Sequence, residues 1–167
     1  SLFYTLPEMM DGLALTASYS PGAAAGPAHS SFGIAYTGVE GLTLKFGQGD
    51  SGEPALEIES TTMMASYAIS SFTVSVSNTE ATKKGAANEE VQSYQVAYTV
   101  SDDISVTYGS ETHDLTGNVT DEEVEALGIS YTTGGMTISA NSYEAKGAGN
   151  TAGAVSDKWA LGLSFAF

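Results

Sequence analysis

The chain has 167 residues, with five lysines and no arginine against 20 aspartates and glutamates, for a formal charge of −15. That balance disfavours nucleic acid, which needs a basic footprint. The absence of cysteine excludes disulfides, thiolate metal sites and a cysteine nucleophile. No apolar run approaches the roughly 18–20 residues of a membrane helix, a criterion that does not bear on proteins crossing with strands.

Taken in chain order, the elements alternate large apolar residues with small polar ones. Leu13, Leu15, Ala17 and Tyr19 interleave with Ala14, Thr16, Ser18 and Ser20; Phe32, Ile34 and Tyr36 interleave with Gly33, Ala35 and Thr37. Leu42, Leu44 and Phe46 flank Thr43 and Lys45, and Phe72, Val74 and Val76 flank Thr73 and Ser75. The same pattern recurs through Val96–Val100, Ile104–Tyr108, Leu127–Tyr131 and Met136–Ala140. A period of two places one set on each face of a strand, and no segment sustains a 3.6-residue stripe, so essentially no helix is expected. Strands are predicted at 1–7, 12–20, 30–38, 41–47, 56–69, 71–80, 90–101, 103–111, 123–133, 135–146 and 157–167. Tight turns near 8–12, 39–41, 69–71, 101–103 and 133–135 alternate with longer loops near 21–29, 48–55, 80–90, 111–123 and 146–158, rich in glycine, alanine, asparagine and acids.

The final segment is the sharpest. Trp159, Leu161, Leu163, Phe165 and Phe167 are large and apolar, whereas Ala160, Gly162, Ser164 and Ala166 are small. A soluble sheet turns a polar face to water, but here the second face carries no charge or long polar group. A closed barrel in lipid explains the pattern: large residues meet acyl chains and small ones line a lumen. The expected class is therefore all-β, an antiparallel transmembrane β-barrel segment spanning 1–167. The odd number of strands, set against the even numbers of bacterial barrels, points to the C-terminal part of a longer barrel. If 1–7 is not a strand, ten remain and could close alone.

On this reading Thr16, Ser18, Thr43, Lys45, Ser75, Thr107, Ser130 and Asn141 line the pore. Lys45 is then the one basic residue inside a strand pattern, with Lys83, Lys84, Lys146 and Lys158 in loops. Most acids fall in or beside the long loops, and Asp50, Glu53, Glu57, Glu59, Glu111 and Asp114 form an acidic outer mouth that favours cations through focused fields. Asp121, Glu122, Glu123 and Glu125 are candidates for Ca²⁺ or Mg²⁺, although they do not follow the EF-hand spacing. Tyr4, Tyr19, Tyr36, Tyr67, Tyr98, Tyr131, Trp159 and Phe167 are placed as interfacial girdle aromatics. His29 and His113, assigned to loops, have no partner spacing for a triad or metal pair, and no nucleophile–base motif is present.

The terminal run ending in Phe167 resembles the outer-membrane insertion signal. Phe3-Tyr4-Thr5-Leu6-Pro7-Glu8-Met9-Met10-Asp11-Gly12-Leu13 resembles the Tyr-x-x-Pro-x-x-x-Gly-Leu/Phe segment that follows the constriction loop of general-diffusion porins, the trimeric 16-stranded type of Gram-negative bacteria. The resemblance implies strands 6–16 of such a barrel, with five strands and the constriction loop upstream. It further implies residence in the bacterial outer membrane among lipid and lipopolysaccharide, insertion by the barrel-assembly machinery, homotrimers, no cofactor, and passive diffusion of small hydrophilic solutes. The lack of arginine departs from the arginine cluster many porins carry. The alternative is a structural or adhesive barrel with a plugged lumen and partner-binding acidic loops.

Overall fold

Alternation of β-branched and aromatic residues with serine, threonine and glycine builds a single sheet. The computed structural model describes residues 1–7, 9–22, 27–52 and 57–166; Glu8, Glu53 and Phe167 lie outside the described residues. The strands are β1 (Leu2–Thr5), β2 (Leu13–Ser20), β3 (His29–Tyr36), β4 (Leu42–Ser51), β5 (Ile58–Ile69), β6 (Phe72–Lys83), β7 (Glu89–Ser101), β8 (Ile104–Leu115), β9 (Glu122–Thr133), β10 (Met136–Lys146) and β11 (Val155–Phe165). They form one 11-stranded antiparallel meander in strict chain order. β1 pairs only with β2 and β11 only with β10, so the sheet is open at both edges. The one helical element among the described residues is a short 3-10 turn, Ala148–Asn150. Among the described residues no helix is long and apolar enough to cross a membrane, which says nothing of crossing by strands.

The hairpins on one rim are tight. Gly134 and Gly135, both at positive φ (54° and 80°), make the two-residue β9–β10 turn, where both central residues need that conformation. Gly41, at φ 76°, stands where a Cβ would collide with the Ala68 carbonyl oxygen. The connections on the opposite rim are longer: 21–28, 52–57, 84–88, 116–121 and 147–154.

Several strands run further towards this second rim than their apolar alternation does. β4 continues to Ser51, β6 to Lys83 and β8 to Leu115, while β7 begins at Glu89 and β11 at Val155. The expected loops at 48–55, 80–90 and 111–123 are correspondingly shorter. His29, His113, Lys83, Lys146 and Lys158, read from the sequence as loop residues, are on strands, and so are most of the acids assigned to loops. The reason is physical: beyond the apolar band both faces are polar, so the hydrophobic period disappears while the backbone ladder continues.

No second layer covers the sheet among the described residues. Among the described residues no hydrophobic side chain is buried, and Leu127 (54%), Ile129 (51%) and Leu163 (58%) remain widely accessible. A soluble β-sandwich would bury such a face against another sheet.

Candidate functional site

Directly paired residues of antiparallel strands share a face, so the register sorts every strand residue. Leu163, Ile138 and Tyr131 align across β11, β10 and β9, and Tyr131 aligns with Ile104 on β8. This apolar face continues through Val106, Tyr98, Phe72, Ile69, Tyr67, Leu42, Leu44, Tyr36 and Leu13 to β1. Its aromatic rings touch one another: Phe72 stacks on Tyr98 at 4.4 Å and 21°, Phe32 meets Phe46 at 5.6 Å, and Tyr94 lies 6.3 Å from Tyr108. Tyr4, Tyr19, Tyr36, Tyr67, Tyr98, Tyr131 and Trp159 all sit on this face, as do Leu161 and Phe165. Tyr94 and Tyr108 belong to the same set, although the sequence reading did not single them out.

The other face is a field of hydroxyls. Ser18–Ser31 (2.8 Å), Ser66–Ser75 (2.9 Å), Thr62–Thr79 (3.0 Å), Ser77–Ser93 (2.7 Å), Ser105–Ser130 (2.7 Å) and Thr132–Thr137 (2.9 Å) are cross-strand hydrogen-bonded pairs, and all lie on it. Polar side chains also lean over facing glycines: a Cβ on Gly128 would come within 2.7 Å of Asn141 Oδ1, and one on Gly33 within 2.9 Å of Thr16 Oγ1. The register puts Thr16, Ser18, Thr43, Lys45, Ser75, Thr107, Ser130 and Asn141 together on this polar face.

The acids do not follow the same rule. Asp50, Glu59, Glu80, Glu90, Asp114, Glu123, Glu125, Glu144 and Asp157 occupy the apolar-face set, as a row on the long-loop side of the aromatic and aliphatic band. Only Glu89, Glu111 and Glu122 of the strand acids face the polar side. The expected acidic mouth is thus divided: Glu111 is on the polar face, whereas Asp50, Glu59 and Asp114 are on the other. The sequence missed this because an outward acid and an inward acid look alike once the apolar period has ended. Uncharged groups just inside the row serve it: Asn78 Nδ2 donates to Glu80 (3.3 Å), Gln92 Nε2 to Glu90 (2.7 Å) and the Tyr108 hydroxyl to Glu125 (3.0 Å).

The proposed cation set at 121–125 is taken apart by the strand. Glu122 points to the polar face and accepts from Gly149 N at 3.2 Å, while Glu123 and Glu125 point to the opposite face. Asp50, Glu57 and Glu59 do converge, their carboxylate oxygens lying within 4.8 Å of one another, a spacing that suits a hard cation with oxygen ligands.

On the polar face Lys83 Nζ pairs with Glu89 at 2.7 Å and His113 Nε2 with Glu111 at 2.6 Å. At the long-loop rim the β10–β11 connection folds back over β9. Asn150 donates to the His113 (3.0 Å) and Thr120 (3.2 Å) carbonyls, and Gly147 is buried against the Asp121 carbonyl oxygen and Thr120.

An open meander with one lipid-like face and one hydroxyl-rich face matches solved structures closely in shape. An anion-selective porin from Comamonas acidovorans superposes with a TM-score of 0.80 at 15% identity, over 99% of this chain and 58% of that one. The sheet has the porin β-barrel fold. A porin structure refined at 1.8 Å gives a TM-score of 0.75 at 19% identity, with 99% of this chain and 60% of the porin covered. Pseudomonas aeruginosa OccK5 (OpdH) gives 0.73 at 12%, covering 99% and 59%. The chain therefore spans about three-fifths of the length of the porins it matches. No family model and no curated protein sequence matches it.

Proposed function

We propose that this chain forms part of the wall of a passive, water-filled channel in the bacterial outer membrane, through which small hydrophilic solutes diffuse without catalysis or cofactor. The observation that carries the reading is the two-faced sheet: an exposed apolar face with aromatic rings suits acyl chains, and its back, lined by hydroxyl pairs, suits water. Both sheet edges carry unpaired backbone groups, which are costly in lipid, so a working channel needs further strands between β1 and β11. Lipid and lipopolysaccharide around the apolar face, recognition of the terminal signal by the assembly machinery, and a homotrimer belong to the same proposal, the trimer resting on the porin resemblance alone. The strand acids are not an argument for cation preference, since nine of the twelve lie on the face turned away from the water path.

Reconstitution of the intact protein in planar bilayers tests the proposal. Stepwise conductance is expected; a bilayer that stays silent with correctly inserted protein overturns it.

A further inference from the structure

We infer that Lys45 and Lys158 are the residues of this chain that set its charge preference, and that the preference they impart is for anions. The inference deepens the channel reading and rests on it. The strands place three lysines (Lys45, Lys83 and Lys158) and three glutamates (Glu89, Glu111 and Glu122) on the polar face. Four of these six are already engaged. Lys83 and Glu89 neutralise each other at 2.7 Å, Glu111 holds His113 at 2.6 Å, and Glu122 accepts from the folded-back loop at 3.2 Å. Those engaged groups all sit towards the long-loop rim.

Lys158, near the start of β11, shares that rim, whereas Lys45 is mid-strand on β4. Both are exposed, and neither has an ion-pair partner among the described residues. Their cross-strand neighbours are uncharged: Ala35 and Met64 flank Lys45, and Tyr143 faces Lys158. Their ammonium groups are therefore available to a passing ion, with the low-dielectric wall behind them focusing the field. Nine of the twelve strand acids lie across the thickness of the sheet, on carboxylates whose field is screened within about 10 Å at 0.1 M salt. Glu111 and Glu122 keep their charge at the long-loop rim, so a formal charge of −15 coexists, among the described residues, with a polar face on which Lys45 and Lys158 are exposed and free of ion pairs.

The test is the reversal potential of the intact protein in a KCl gradient across a planar bilayer. Lys45→Glu and Lys158→Glu are each expected to raise the cation-to-anion permeability ratio by at least about twofold, as a two-unit charge change felt at about 10 Å through water would. Glu90→Gln and Glu144→Gln, on the other face, are expected to leave it unchanged. This chain lacks cysteine, so Lys45→Cys offers a second readout: a cationic thiol reagent should restore the original potential and an anionic one should move it further towards cations. Reversal potentials that ignore the lysine changes while conductance persists, or that follow Glu90→Gln, overturn the inference and leave the channel standing. A silent wild-type bilayer removes the channel reading and this inference with it.

Discussion

Glu90 stands directly opposite Glu80 on one side and directly opposite Asp114 on the other, in the same face set as Val96 and Tyr98. Glu144 is in the same position between Glu125 and Asp157, and Asp50 faces Glu59. Like charges directly opposed across strands are unfavourable. Where bulk water and counter-ions are close the penalty is small, and a row of carboxylates here marks the level at which the apolar band ends. Amide and phenol donors from Asn78, Gln92 and Tyr108 offset part of it.

Removing the central charge of that row should stabilise the sheet. Glu90→Gln is expected to gain about 0.2–1 kcal/mol, the size of one or two cross-strand charge pairs. Unfolding of the reconstituted protein in urea at low and high salt measures it. The gain should shrink as salt screens the repulsion, and a loss of stability at low salt would contradict the assignment of the row to one face.

Val106 and Thr107 are neighbours in sequence but opposite in face. Val106 lies between Tyr98 and Ile129, whereas Thr107 lies between Ala97 and Gly128. A lysine on the lipid face at mid-depth costs about 2–4 kcal/mol. Val106→Lys should therefore lose about that much in an unfolding titration from vesicles, and Thr107→Lys should lose well under half of it. Equal losses would refute the two-faced reading.

A bulky residue on the polar face should narrow the water path without disturbing lipid contacts. Thr107→Trp is expected to lower single-channel conductance measurably, and Val106→Trp to leave it close to that of the unsubstituted protein. The reverse order would show that the hydroxyl-rich face is not the one lining the passage.

Asn150 holds the β10–β11 connection in place with two hydrogen bonds and adopts a left-handed conformation (φ 55°) that asparagine tolerates better than alanine. Asn150→Ala should loosen residues 147–154 by about 1–3 kcal/mol, two net hydrogen bonds at ~0.5–1.5 each. Amide exchange at Gly149 should quicken while β8 mid-strand amides stay protected. Asn150→Gly, which keeps the backbone conformation but not the amide, should lose only the hydrogen-bond part.

Much of the fold was legible because lipid imposes a simple rule. Leu161, Leu163 and Phe165 had to share one face and Gly162 and Ser164 the other, and the strands from Leu13 to Phe165 follow from repeating that test. Lys45 could be assigned to the polar face for the same reason, since Leu44 and Phe46 flank it.

Where the apolar period stops, at Gln48 on β4, Asn78 on β6 or Ser110 on β8, single-residue patterns no longer say whether the chain is strand or loop. They also no longer say which way Asp50, Glu80 or Asp114 points. Only the cross-strand register settled that, because a hydrogen-bonded ladder carries the face assignment upward from the apolar residues into segments with no hydrophobic signal. The sequence by itself determined that this is a sheet with one lipid-compatible face. The tertiary structure decided that the strand acids lie mostly on that same side, that Lys83 and Glu111 have partners, and that Lys45 and Lys158 have no ion-pair partner among the described residues.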